Sequence, residues 1–258
     1  MLIDYHVHLD KLEWSLSTIE EMCGVAQKSG IDKLGIVVHT KALDGFQPLY
    51  DHIIQKGSKH KKLKFNKNIQ DYINLLNSAK DKGYPINTGI EVCYSPEGED
   101  FLKNKLSQYS FDFLIGSVHL IGRRHYKTAV EKYKNRKVVG QMYYSLVLKA
   151  IESKLFDIVG HIEIIRREGI PGLDKYPELL DKICLSLIEN NCAVEINTKW
   201  LTSHSNLIPD IGTLTYMGKK GVKLVFSSDA HHLTRIGFQK DIAYRHIVDA
   251  GFEGFGKL

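Results

Sequence analysis

Residues 2–8 read LIDYHVH, a short apolar and β-branched run carrying His6 and His8, and its echoes along the chain decide the fold. Runs of the same kind return at 33–39 (KLGIVVH), 86–91 (INTGIE), 112–119 (DFLIGSVH), 156–161 (FDIVGH), 192–197 (CAVEIN) and 223–229 (KLVFSSD). Apolar runs of this length, with little alternation, are what parallel strands covered on both faces look like. The spacers carry helical stripes: Val139, Tyr143, Leu146, Val147, Ala150 and Ile151 fall on one face, as do Leu179, Leu180, Ile183, Leu187 and Ile188. Strand and helix alternate without a linker rich in Pro, Gly or Ser. That pattern predicts right-handed βαβ units closing into one (β/α)7 barrel over residues 1–258.

The composition agrees. With 258 residues, 43% of them hydrophobic, 25% charged, and only 6 Pro, the chain is excluded from the disordered and collagen-like classes. A net charge of +5 is too small to demand nucleic acid, but it suits an anionic substrate steered to a basic mouth. Four cysteines without a CxxC pair are expected to stay reduced, as in a cytoplasmic protein. No basic start followed by an apolar core reads as a secretion signal, and no uncharged apolar run approaches the ~20 residues of a membrane span. A soluble protein without a membrane partner is therefore expected. The one basic run, KGSKHKKLKFNK at Lys56–Lys67, reads as a solvated loop, or else as a phosphate-facing lid or a nucleic-acid contact.

Twelve histidines are present, and six of them (His6, His8, His39, His119, His161 and His231) fall at or just past the C-terminal ends of expected strands, where barrel enzymes build their sites. Alternate strand residues share a face, so His6 and His8 can grip one ion from below. Glu91 closes its run and Asp229 closes another, adding carboxylates to the ring. A mixed set of imidazole nitrogens and carboxylate oxygens suits Zn, Mn or Fe rather than Mg or Ca. Six histidines and two acids exceed the needs of one catalytic ion, so two or three divalent ions are expected, with Glu91 available to bridge.

In order along the chain stand DYHVH, VVH, GIE, GSVH, GHIE, EINT and SDAH, and this series resembles the polymerase and histidinol phosphatase (PHP) family. GSVHLIG, GHIEIIRR and EINT resemble its histidinol-phosphatase branch in particular. The resemblance implies a distorted (β/α)7 barrel and the hydrolysis of L-histidinol phosphate to L-histidinol and phosphate, in histidine biosynthesis, by a hydroxide bridging the ions. It implies one ion on His6, His8, Glu91 and Asp229, a second on Glu91, His119 and His161, and a third on His39 and His231. Departures stand out as well, one being LIGRRHY after GSVH, which is unlike the usual continuation in that branch. Trp14 occupies the place where a further ligand is usual, with Glu13 or Asp10 as possible substitutes; Glu163 stands where GHxD is usual; and Lys199 and Trp200 replace small residues after EINT. Glu163 is expected either to hold an outer hydrogen bond to a ligand or to lie on the surface.

For the phosphate, Arg166 is the preferred cation, with Arg167, Arg123, Arg124, Lys199 and Arg235 behind it, and Asn197 could orient a ligand or the substrate. His231 or His39 could protonate the leaving alkoxide, and Asp229 belongs to the same catalytic group. Two rival readings are another phosphoesterase of the family (a protein-tyrosine phosphatase or a nucleotide or nucleic-acid phosphodiesterase) and a non-catalytic metal-binding module. The near-complete set of ligands argues against the module, and the small charge excess makes nucleic acid the weaker substrate. Neither the alcohol half of the substrate nor the oligomeric state is legible.

Overall fold

A computed structural model describes residues 1–55, 63–201 and 207–258. Most of the basic run, residues 56–62, thus lies outside the described residues. Among these, seven parallel strands form one sheet in the order β1 (Ile3–His8), β2 (Lys33–Val37), β3 (Ile86–Cys93), β4 (Phe113–Ser117), β7 (Ile158–Val159), β8 (Ala193–Asn197) and β9 (Leu224–Ser227). A separate antiparallel pair, β5 (Leu120–Ile121) and β6 (Arg124–His125), which the periodicity does not announce, follows β4. The sheet curls until β9 meets β1. There His8 N–H donates to the Ala230 carbonyl at 2.8 Å and Ala230 N–H donates to that of His6 at 3.1 Å, giving a nearly closed (β/α)7 barrel.

Helices cover the outer face: α1 (Leu16–Lys28), α2 (Gln47–Ile53), α3 (Ile69–Asp81), α4 (Glu99–Leu106), α5 (Tyr126–Lys132), α6 (Arg136–Glu152), α7 (Pro177–Glu189), α8 (Ile211–Lys220) and α9 (Lys240–Asp249). The predicted stripes are their buried faces, with Val139, Tyr143, Val147, Ala150 and Ile151 inside on α6 and Leu180, Ile183 and Leu187 inside on α7, whereas Ile188 is exposed. Local caps start several helices. Ser15 accepts from Thr18 N–H at α1, Asn68 from Gln70 and Asp71 at α3, and Asp210 from Thr213 at α8, each satisfying an otherwise orphaned donor. No helix among the described residues is long and apolar enough to cross a membrane.

Inside the barrel, Ile3, Tyr5, Val37, Phe113, Ile115, Ile158, Ala193 and Val225 make a small core that plugs its floor. Above this floor the same strands turn polar. In β1 strict alternation would set Ile3 and Tyr5 on one face and His6 and His8 on the other. A register irregularity between Asp4 and Val7 shifts the pairing with β2 by one residue, so Tyr5 fills the floor while His6 and His8 reach the mouth. His161 solves a similar problem differently: Ile158 faces the interior, and a backbone φ of 25° at His161 turns its ring back towards the mouth. Left-handed backbone is uncommon for a non-glycine residue and clusters at functional sites. The closing seam is fastened by Asp4, a fully buried acid on β1 that accepts from Ser228 N–H at 2.9 Å and Gly237 N–H at 3.0 Å. Burial pushes its carboxyl up to about 6, against the hydrogen bonds that favour the charged form.

The floor explains two glycines. A Cβ at Gly89 would lie 2.3 Å from the Phe113 ring and one at Gly35 would lie 2.7 Å from it, so the ring occupies the volume that side chains on β2 and β3 would need. Gly89→Ala should therefore destabilise the protein by about 1–3 kcal/mol through overpacking. Phe113→Leu should return part of that loss in the double variant. Denaturant unfolding of the two single variants and the pair checks the coupling, and simple additivity would refute it.

Candidate metal centre

The strand ends bring six histidines and a set of acids into one buried basin. At its middle stands Glu91 on β3, 2% exposed, with its two oxygens facing different ways. Oε1 lies 3.6 Å from His119 Nε2 and 3.3 Å from His161 Nε2. Oε2 lies 3.7 Å from His6 Nε2, 3.6 Å from His8 Nε2 and 2.8 Å from His39 Nε2. The Nε2 atoms of His6 and His8, separated along the strand by one residue, come within 3.0 Å of each other. Asp229, just past β9, closes the ring with Oδ1 at 3.4 Å from His8 Nε2. All eight residues expected from the sequence as ligands therefore stand in this basin.

Among the described residues, three groups of donor atoms lie within 4.8 Å of one another: His6, His8 and Glu91; Glu91, His119 and His161; and His8, Asp10, His39 and His231. The donor chemistry fits divalent ions. Glu91 Oε2 is buried among three imidazole nitrogens, His39 Nε2 at 2.8 Å being the nearest, and His161 Nδ1 is buried without a hydrogen-bond partner. A native interior rarely leaves such an atom unpaired. Imidazole nitrogens and carboxylate oxygens converging on one point are what a cation would satisfy.

Behind these groups lies a second layer, and part of it was not anticipated. Glu195 on β8, inside the EINT motif, is fully buried; its Oε2 lies 2.8 Å from His6 Nδ1, while Oε1 accepts from His161 N–H at 2.6 Å and Asn197 Nδ2 at 2.8 Å. One carboxylate thus fixes two candidate ligands from 189 and 34 residues away. Asn197 also donates to Asp229 Oδ2 at 3.1 Å, which makes it a support for an acid of the ring. Asp10 Oδ2 lies 2.7 Å from both His8 Nδ1 and His39 Nδ1, and Oδ1 accepts from His39 N–H at 2.9 Å. Of the two substitutes considered for the Trp14 position, Asp10 is the one that reaches the basin. Trp14 itself turns into the core, its ring 5.5 Å from that of Tyr72 and under the ammonium of Lys67, with Nε1–H donating to the Leu9 carbonyl.

These contacts set the charge states. Burial opposes ionisation of Glu91, but the charge of His39 and the hydrogen bonds of His161, His39 and His6 hold its carboxyl well below the usual range. His39 is pulled down by burial, yet Glu91 and Asp10 outweigh that and favour its protonated ring. For His231, burial and then the nearby His8 and Lys199 push the pKa down to about 2 and keep the ring neutral.

The cations expected at the phosphate separate into two sets. Lys199 enters the basin, its Nζ 2.7 Å from Asp229 Oδ1 and 3.3 Å from His231 Nδ1. Arg235 lies behind it, donating to the Lys199 carbonyl at 2.7 Å. Arg166, the preferred cation, is committed elsewhere: Nη1 donates to the Leu207 carbonyl at 2.9 Å and Nη2 pairs with Asp210 at 3.2 Å. Arg167 stacks on Trp200 at 4.2 Å, and Arg123 points to the Asp51 and Ile54 carbonyls at the end of α2. Glu163 corrects both alternatives offered for it, being neither a surface residue nor a support for a ligand. It is fully buried and accepts from Leu173 N–H at 2.6 Å, Thr213 Oγ1–H at 2.7 Å and Asp210 N–H at 2.8 Å, tying the loop after β7 to the start of α8.

Comparison with known proteins is consistent with this architecture. The protein named probable histidinol-phosphatase of Deinococcus radiodurans is 29% identical over 171 residues, covering 64% of this chain and 65% of that one. This chain's match thus spans just under two thirds of that relative. The protein of the same name from Clostridium acetobutylicum is 26% identical over 247 residues, covering 92% and 89% of the two chains. A crystal structure of histidinol phosphate phosphatase from Lactococcus lactis subsp. lactis, in complex with zinc, L-histidinol and phosphate, superposes with a TM-score of 0.72 at 19% identity, covering 98% of this chain and 95% of that one. The family model for the PHP domain matches residues 4–199, the stretch that carries every strand from β1 to β8 together with Glu91 and five of the six strand-end histidines, and the chain belongs to that family.

Proposed function

We propose that this chain is a metal-dependent phosphomonoesterase that hydrolyses L-histidinol phosphate to L-histidinol and phosphate, a reaction of histidine biosynthesis. The observation that carries the reading is the division of Glu91, one oxygen towards His119 and His161 and the other towards His6, His8 and His39. Such a carboxylate is built to bridge two ions. We assign one ion to His6, His8, Glu91 and Asp229 and another to Glu91, His119 and His161, with Zn, Mn or Fe as the metals that a mixed nitrogen and oxygen set favours. The names of the two relatives and the ligands of the Lactococcus lactis structure support the choice of substrate.

Bound divalent ions lower the pKa of water towards neutrality and stabilise negative charge on a phosphoryl group. The chain supplies the rest. Glu195 and Asp10 hold His6 and His8 in one orientation and one tautomer each, so their Nε2 lone pairs face the basin before the substrate arrives, and Asp10 also fixes the orientation of His39. Asn197 holds Asp229 in the same way. Lys199 is the cation placed to meet a phosphoryl oxygen, with Arg235 fixing its backbone. Of the two histidines considered as proton donors to the leaving oxygen, His39 sits between Asp10 and Glu91, neighbours that favour a protonated ring, whereas His231 faces an ammonium. We therefore assign that proton to His39.

Phosphate release from L-histidinol phosphate, by protein stripped with a chelator and reloaded with Zn, Mn or Fe, tests the reading directly. Activity on phosphotyrosine or an oligonucleotide but not on histidinol phosphate would transfer the chain to another branch of the family. Glu91→Gln should abolish turnover and lower the bound metal by more than one ion per chain; unchanged metal content would exclude bridging. Asp10→Asn should weaken metal affinity by roughly 10- to 100-fold, the usual loss when an orienting partner is removed. Metal titration of the stripped protein measures this, and an unchanged affinity would refute the role. Arg166→Ala should lower stability by about 1–3 kcal/mol through its lost hydrogen bond and ion pairs while leaving KM within twofold. A large rise in KM with normal stability would restore Arg166 to the phosphate.

A further inference from the structure

One residue of the basin has no counterpart among its acids and imidazoles: Lys199, an ammonium set among atoms that otherwise look like ligands. Its Nζ shares Asp229 Oδ1 with His8 Nε2 and His231 Nδ1, at 2.7, 3.4 and 3.4 Å from that oxygen. The ammonium has three donors and no lone pair. At 3.3 Å it therefore needs His231 Nδ1 as an acceptor, and the lone pair that His231 could offer a metal from that nitrogen is taken. The Asp229 carbonyl, 3.1 Å from the same nitrogen, competes only in the tautomer that would set an N–H against the ammonium.

The remaining members of the group formed by His8, Asp10, His39 and His231 are also engaged. Asp10 Oδ2 faces the Nδ1 atoms of both His8 and His39, and its Oδ1 takes the His39 backbone N–H. The Nε2 atoms of His8 and His39 are turned to Glu91 Oε2. The Trp14 side chain is held in the core and lends no donor atom. A dication added here would meet a fixed positive charge at its edge and, among the described residues, no uncommitted carboxylate.

We infer that Lys199 stands in place of a third metal ion, so that the centre works with two ions and one lysine, the lysine binding a phosphoryl oxygen on the side of Asp229 and His231. This rests on the phosphomonoesterase reading above. In the reaction the ester P–O bond breaks and a bond from phosphorus to water oxygen forms. Lys199 keeps its proton throughout and contributes charge and a hydrogen bond only. Trp200, whose ring lies 4.9 Å from Nζ, and Arg235, which holds the Lys199 carbonyl, keep the long side chain directed inward.

Two measurements on the whole chain decide the matter, and the first needs no activity. Elemental analysis of wild-type protein saturated with Zn or Mn should find two ions per chain. Three ions, falling to two in His231→Ala, would overturn the inference. Calorimetric titration of the metal-loaded protein with inorganic phosphate should show Lys199→Met binding it roughly 10- to 100-fold more weakly, the worth of one charge-assisted hydrogen bond, with two ions retained. Lys199→Gln, which keeps a polar group of similar reach, should lose nearly as much, and Lys199→Arg should retain part of the affinity. Phosphate binding by Lys199→Met or Lys199→Gln equal to wild type would overturn the inference. If the wild type released no phosphate from any ester, the parent reading would fall, while metal count and phosphate affinity would still judge Lys199.

Discussion

The centre depends on a carboxylate buried where a lone charge could not survive. Glu91 is almost fully buried, and withdrawing an unpaired carboxylate from water costs several kcal/mol. The charge of His39 and the hydrogen bonds of His161, His39 and His6 offset that cost, and a frame of buried acids, Glu195 and Asp10 among them, holds these rings in place. Removing any wall of that frame leaves the charge less compensated. Metal binding and folding are thereby linked, because the ligands must be deprotonated and gathered before an ion can be held, and the ion stabilises the gathered state.

Building the basin at the strand ends has a further consequence. The floor of the barrel is apolar and tightly packed, with Phe113 occupying volume that two glycines surrender, and of the rings above it His6 and His8 stand on β1 while His39, His119, His161 and His231 follow the ends of β2, β4, β7 and β9. The irregularity in β1 and the left-handed turn at His161 are the places where regular geometry gives way to put a ring in the basin. Both lie beside candidate ligands, as expected where local backbone preference yields to function.

Around the rim, arginines and lysines take different tasks although their charges are alike. Arg166, with its planar fork, organises Asp210, Glu163 and the Leu207 carbonyl and so anchors the start of α8. Arg167 lies flat on Trp200. Lys199, a compact charge on a flexible stem, is the cation that reaches the ring of ligands, consistent with the different geometry of guanidinium and ammonium.

Much of this was determined by the sequence. Apolar runs that repeat with helical spacers specify a parallel barrel because burial on both faces leaves few other arrangements, and a ligand-type residue at the tip of each run must fall at one end of it. Those rules act within a few residues, and for that reason the eight residues that meet in the basin were readable as a group. The roles of Asp10, Glu195, Glu163, Arg166 and Trp14 were decided only by the tertiary structure. Glu195 reaches His6 across 189 residues, and Arg166 meets the Leu207 carbonyl across 41. Whether a polar side chain supports a ligand, meets a substrate or fastens a loop depends on which distant strand it faces, and periodicity within a segment carries no information about that distance.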